Sequence, residues 1–158
     1  MKLPFSTIVH VTNLNSLYSI LQSGYIQSRY QTGAVRGYSC RDKGDPRFVY
    51  FSLDPEEPRF CNVKLVLNSS ILLDRDDYYL NTDWIYGVTP NSFNPSQLKE
   101  WYESMENSGE ILFSNEVPVD KYLEEIVIAQ MTPKIHLQIL NINKIPSRYQ
   151  SKIRIVYE

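Results

Sequence analysis

Ser6-Thr7-Ile8-Val9-His10-Val11-Thr12, leading through Asn13-Leu14 into Asn15-Ser16-Leu17-Tyr18-Ser19-Ile20-Leu21-Gln22-Ser23 and ending at Gly24, is a strand followed directly by a helix. The first seven residues are a β-branched run, which favours extended backbone. Asn13 can cap a helix with its side-chain oxygen, and Leu14, Leu17, Ile20 and Leu21 recur at helical spacing on one face. Gly24 stands where a left-handed helix end wants glycine. Alternation along the strand puts His10 and Thr12 on one face and Val9 and Val11 on the other.

Beyond this unit, residues 25–47 show no sustained period and carry Gly33, Gly37 and Gly44, which predicts a surface loop long enough to be functional. Phe48-Val-Tyr-Phe-Ser52 reads as a short strand ended by Asp54-Pro55, and Val63-Lys-Leu-Val-Leu67 as a half-buried one. Ser70–Asp74 continues the β character, residues 76–94 read as a Tyr- and Asn-rich loop, and Pro95 opens a helix to Glu106 with Leu98, Trp101, Tyr102 and Met105 on one face. Glu110–Ser114 is a strand, Pro118 starts a turn of helix to Leu123, and Glu125–Ala129, Ile135–Ile142 and Ile153–Tyr157 are the late strands. There is no repeat, low-complexity tract or linker. Strands outnumber helices, so the fold class is α+β rather than a doubly wound parallel sheet.

The 158 residues, 42% hydrophobic and 22% charged, suit one globular domain spanning 1–158. No run approaches the ~18 apolar residues of a membrane span, and Met1–Ser6 lacks a secretory apolar region, so an intracellular, cytoplasmic protein with no membrane partner is expected. Cys40 and Cys61 form no Cys-x-x-Cys and read as free thiols. With His10 and His136 as the only histidines, a tetrahedral site would need all four scattered groups, so no metal is expected. The six glycines match neither a phosphate loop nor a dinucleotide fingerprint, and no Gly-x-Ser-x-Gly elbow is present. Twelve tyrosines help bring aromatics to 13%, which favours a site for ring-shaped ligands.

Three features remain, each with an ordinary explanation when taken alone. His10 with Thr12 fits a satisfied half-buried histidine, Tyr50 with Ser52 a core aromatic, and Glu110 after Ser108-Gly109 a solvated charge at a strand end. In this order, however, Val9-His10-Val11-Thr12, then Val49-Tyr50-Phe51-Ser52, then Gly109-Glu110 through Ile126 resemble the ADP-ribosyltransferase superfamily of the His-Tyr-Glu type. Within it the chain is most similar to the DarT group of DNA-modifying toxins, through the cadence of His10 to Gly24, Phe48 to Pro55 and Glu110 to Ile126. These segments cover about a third of the chain, and residues 74–107 do not align.

The resemblance implies a split β-sheet core with a few helices and an NAD cleft. It implies that NAD is a substrate, with nicotinamide stacked on Tyr50, His10 on a ribose hydroxyl, Thr12 and Ser52 assisting, the Val11 backbone on the nicotinamide amide, and Glu110 as the catalytic carboxylate. It also implies an arginine from the loop: Arg41 first and Arg36 second, acting on NAD phosphate or the acceptor. The implied acceptor is a nucleobase in single-stranded DNA, with RNA or protein as alternatives and an antidote protein as a further partner. An RNA 2′-phosphotransferase has a similar fold but does not lean on a glutamate at position 110; a non-catalytic nucleotide-binding module is the remaining alternative.

The net charge of −2 hides a partition. Residues 1–52 carry six basic and two acidic groups, 53–125 five and fifteen, and 126–158 five and one. If the basic ends meet, they form a positive groove suited to a single strand.

Overall fold

The computed structural model describes residues 2–33, 45–53, 55–58, 62–85, 87–105, 109–130 and 140–157. Arg36, Arg41, Cys40, Cys61 and His136 lie outside the described residues. In chain order the elements are β1 (Thr7–Asn13), α1 (Leu14–Ser23), β2 (Tyr25–Ile26), α2 (Arg29–Thr32), β3 (Val49–Ser52), β4 (Asn62–Asn68), α3 (Ile71–Asp74) and β5 (Tyr78–Asn81). They continue with α4 (Leu98–Ser104), β6 (Glu110–Phe113), β7 (Val117–Pro118), β8 (Leu123–Gln130), α5 (Ser147–Gln150) and β9 (Ile153–Tyr157). The fold is α+β, with nine strands among the described residues and short helices. No helix among them is long and apolar enough to cross a membrane. The chain forms two compact units, the first from residues 1–25, 54–69 and 118–158, the second from 26–53 and 70–117.

In the first unit the strand order is β1-β4-β8-β9. β1 runs antiparallel to β4, with His10 opposite Leu65 and Thr12 opposite Val63, and β4 runs antiparallel to β8. β9 lies parallel to β8, which requires the crossover that α5 helps to supply. α1 starts and ends as its sequence predicts: the Asn13 side chain accepts from the Ser16 N–H at 2.9 Å, and Gly24 sits at φ 83° with its N–H on the Ile20 carbonyl. Leu14, Leu17, Ile20 and Leu21 are buried, and the helix packs on β1 and β4.

The chain's first and last segments do meet in this unit. Tyr18 Oη accepts from the Asn141 N–H at 2.9 Å, and Lys144 Nζ lies 5.2 Å from the Tyr18 ring centre. The expected positive groove is nevertheless offset by acids. Arg154 is bound to both Glu57 and Glu125, and Arg148 faces Asp120, so cations of the last segment are matched by carboxylates of the middle one.

In the second unit β6 lies between β3 and β5, antiparallel to both. One face carries Val49, Phe51, Ile111, Phe113, Tyr78 and Leu80, all buried. Phe51 and Tyr78 pack on the Phe113 ring with centroids 5.4 and 5.5 Å apart. α4 covers β5, and the Pro-started turn Pro95–Gln97 that leads into it is 3₁₀ and capped by the Asn94 side chain accepting from the Ser96 N–H.

Several expectations are corrected. The segment after Gly24 is not uniformly loop: it holds β2 and the one-turn helix α2, which Ser28 and Gln31 close as a capping box. Ser70–Asp74 is helical rather than extended, because Ser69 is tied to the Ser6 and Phe5 carbonyls and the Ser70 carbonyl then takes the Leu73 and Asp74 N–H groups. The 76–94 loop contains the strand β5, whose edge is closed by a bridge between Leu80 and Phe93. Pro118 belongs to β7, and the turn after it is closed by the Tyr122 and Leu123 N–H groups on the Val119 carbonyl without continuing as helix. Most of the strand expected at Ile135–Ile142 lies outside the described residues, and its last residue starts a short 3₁₀ turn, Ile142–Lys144.

Candidate active site

The polar face of the second unit follows from strand register. Ser52 and Asn81 each stand directly opposite Glu110, so a hydroxyl, a carboxylate and a carboxamide form one row across three strands. The next row on the same face is Tyr50, Leu112 and Tyr79. Glu110 is only 8% exposed, so it is not a solvated strand-end charge. It sits at the entry of β6 because Gly109, just before it, lies flat against the Trp101 indole, where a Cβ would come within 2.5 Å of the ring. That indole is held in turn by its Nε1–H on the Asn81 backbone carbonyl at 2.6 Å.

Tyr50 is half-buried, and burial pushes its phenol up to about 12; the Glu110 carboxylate adds to the rise, while the backbone at Asp45 opposes it. The phenol is therefore neutral at physiological pH and electrostatically in touch with Glu110. Asp45 is itself fixed. Arg47 donates to its carboxylate from Nε at 3.0 Å and Nη2 at 2.6 Å and holds its pKa below the ordinary carboxylate value. Gly87, at φ 82°, lies so close that a Cβ there would be 3.1 Å from the Asp45 Cβ. The Gly87 carbonyl accepts from Asn81 Nδ2, and Asn81 Oδ1 accepts from the Ser92 hydroxyl at 2.6 Å. Close packing thus joins Asp45 to Gly87, and a hydrogen bond joins Gly87 to Asn81, the strand neighbour of Glu110.

Tyr50, Ser52 and Glu110 are therefore brought together on one face of the second unit. His10, Val11 and Thr12 sit together on β1 of the first unit, where His10 and Thr12 share a face and are partly exposed. Val11, on the opposite face, pairs with the buried Lys64, whose Nζ donates to the Glu56 carbonyl at 3.0 Å. Arg36 and Arg41 lie outside the described residues. Sequence reasoning missed Asn81, Asp45 and Arg29, whose charge acts on both Tyr50 and Asp45. The paired tyrosines of Tyr78-Tyr79-Leu80-Asn81 were the available sign of a strand there. Nothing local in the sequence distinguishes Arg29 or Asp45.

No family model and no curated protein matches the chain. Solved structures do. Thermus sp. 2.9 DarT in complex with NAD+ matches with a TM-score of 0.57 at 14% identity, over 81% of this chain and 84% of that one. The same protein in complex with carba-NAD+ matches at 0.56 and 15%, over 80% and 84%. In complex with ADP-ribosylated ssDNA it matches at 0.56 and 15%, over 82% and 86%. The chain has the DarT-like ADP-ribosyltransferase fold.

Proposed function

We propose that this chain is an NAD-dependent ADP-ribosyltransferase that transfers ADP-ribose to a nucleobase of single-stranded DNA, with residues 1–158 acting as one catalytic domain. The reading rests on one observation above all: a chain with the DarT fold carries a buried carboxylate, Glu110, opposite Ser52 and on the face of Tyr50. That DarT was solved with NAD+ and with ADP-ribosylated ssDNA supports the choice of substrate and acceptor.

In this reading nicotinamide stacks on the Tyr50 ring, which is half-buried on the face of Glu110. His10 bonds a ribose hydroxyl, the hydroxyls of Thr12 and Ser52 assist, and the Val11 backbone meets the nicotinamide amide. When the bond between ribose and nicotinamide breaks, its electron pair leaves with neutral nicotinamide and the ribose becomes an oxocarbenium ion. Glu110 stabilises that charge, as carboxylates do in glycoside hydrolysis. A base nitrogen then supplies the pair for the new bond, and its proton passes to Glu110. Unpaired bases offer their edges without the unstacking that a duplex demands. Arg41, or Arg36, serves the NAD phosphates or the acceptor. Both substrates are intracellular, and a modified template base obstructs copying, so the protein acts as a toxin inside the cell, with an antidote that removes the group as its natural partner.

The test is a mass increase of one ADP-ribose on a defined single-stranded oligonucleotide incubated with NAD. Glu110→Ala is expected to slow it by about 10²- to 10⁴-fold. Undiminished transfer by that variant removes Glu110 from the chemistry, and label on protein alone overturns the DNA acceptor.

A further inference from the structure

Glu110 has two aromatic neighbours on its face, and nicotinamide accounts for one. Because β6 lies between β3 and β5, Leu112 stands opposite both Tyr50 and Tyr79, and Glu110 is diagonal to each. Diagonal partners across antiparallel strands are about 7–8 Å apart, within reach of an aromatic side chain. The two tyrosines differ in what they leave open. Tyr50 is half-buried against the Glu110 carboxylate's field, whereas Tyr79 is 40% exposed. Phe48 meets the Tyr79 ring edge to face, with centroids 6.2 Å apart and planes at 88°, so the ring is braced while much of it faces solvent.

The backbone beside Tyr79 is already engaged. The Leu80 N–H donates to the Phe93 carbonyl at 2.8 Å and the Leu80 carbonyl accepts from the Phe93 N–H at 2.7 Å. A peptide adding itself as a further strand finds these groups occupied, so what this edge still offers is a flat ring surface. A flat, braced ring diagonal to the reacting carboxylate suits a planar partner better than an extended one.

We propose that Tyr79, braced by Phe48, is the platform on which the acceptor nucleobase stacks. Glu110 then stands between two rings, with nicotinamide departing from Tyr50 and the base arriving on Tyr79. The inference rests on the reading of the chain as a nucleobase ADP-ribosyltransferase and adds the acceptor subsite to it. Stacking tolerates any base, so Tyr79 supplies affinity for unpaired nucleotides rather than sequence preference.

The experiment uses the full chain, NAD and a fluorescein-labelled single-stranded oligonucleotide, with Tyr79→Ala, Tyr79→Phe and Tyr79→Leu beside the wild type. Steady-state transfer gives KM for each substrate, and anisotropy gives oligonucleotide affinity. Losing one stacked base weakens binding by roughly 5- to 150-fold, so Tyr79→Ala is expected to raise oligonucleotide KM and Kd by that factor. Tyr79→Phe retains the ring and stays within about twofold of wild type, and Tyr79→Leu, which fills the space without a π face, behaves like alanine. KM for NAD moves by less than about twofold, because the stacked ring is the acceptor's. Three results overturn the proposal: unchanged oligonucleotide KM in Tyr79→Ala, rescue by leucine, or a parallel rise in KM for NAD. Failure of the underlying reading looks different, since a wild type that consumes NAD yet labels only protein sinks the nucleobase acceptor and Tyr79 with it.

Discussion

Replacing Gly109 with alanine adds a methyl group where the second unit has no room for one. A Cβ at this position stands 2.2 Å from Met105 Sδ, 2.5 Å from Trp101 Cζ2 and 3.0 Å from Trp101 Cε2. The thioether is the far end of a flexible side chain and can swing aside. The indole cannot, being fully buried and bonded through Nε1–H to the Asn81 carbonyl at 2.6 Å. Overpacking of this kind costs about 1–3 kcal/mol, and a shift that breaks the indole hydrogen bond adds about 1 kcal/mol. The sum, about 2–4 kcal/mol, lowers the melting temperature by roughly 4–16 °C for a chain of this length. Gly109 lies outside the left-handed region, so the penalty comes from packing alone. It also reaches the proposed catalytic carboxylate, because Glu110 is the next residue and Asn81, which anchors the indole, is its partner across the strands. A displacement of about 1 Å can lower turnover by about 10²-fold. Thermal unfolding and NAD consumption measure the two effects. Adding Met105→Ala to Gly109→Ala is expected to restore less than half of the lost stability, since sulfur is the softer wall. A Gly109→Ala protein that melts within about 2 °C of wild type and consumes NAD at full rate refutes this account of how Glu110 is placed.

Two further outcomes follow from buried and forked groups. Burial pushes both Tyr50 and Tyr78 up to about 12 from an ordinary 10.0, so between those values the unfolded chain has released protons that the folded chain retains. Stability is therefore unaffected below pH 10.0 and falls as pH rises toward 12, and following phenolate absorbance, Tyr50→Phe and Tyr78→Phe should each remove one late-titrating group; an unchanged titration contradicts the burial. Arg75 grips Asp77 from Nε at 2.7 Å, donates from Nη1 to the Glu116 carbonyl at 2.9 Å and lies 4.8 Å over the Phe113 ring. Arg75→Lys keeps the charge but loses the fork, for an expected loss of about 1–3 kcal/mol. The fork is also the main cause of Asp77's lowered pKa, so the stability it confers is present above the unfolded aspartate value and disappears as pH falls through the folded one. Urea titrations at neutral and acid pH should show the gap between wild type and Arg75→Lys shrinking in acid, and a constant gap counts against the fork.

What could be read from the sequence was written in local cues. Asn13, the four apolar positions of α1 and Gly24 define a helix without help from any distant residue, and their caps form as expected. The alternation of Tyr50 and Ser52 fixed their common face in the same way. The misread segments were those whose state is set elsewhere. Ile71–Asp74 is too short a run to choose its own conformation, and becomes helical because Ser69 is anchored to the residues before β1. Tyr78–Asn81 is flanked by aspartates and asparagines that suggest loop, yet it is a strand because β6 pairs along its length. Asn81 escaped notice for the same reason, since its relation to Glu110 exists only across two paired strands.

That dependence on pairing explains how the fold persists at 14–15% identity to DarT. Ser52, Glu110 and Asn81 are distant in sequence and become neighbours solely through register, which asks for alternation and correct strand ends and leaves most other positions free to vary. Register alone would be served equally by three apolar residues, and more cheaply, because β6 is buried along its whole length and burying polar groups costs free energy unless each is bonded. The row departs from that cheaper solution at all three positions. Its apolar counterpart on the opposite face, Phe51, Ile111 and Leu80, shows what the same strands hold where packing is the sole demand. A carboxylate, a hydroxyl and a carboxamide in the equivalent positions, with Gly109 packed on Trp101 just before the carboxylate, are not what packing alone selects, and they fit the proposed site of charge stabilisation.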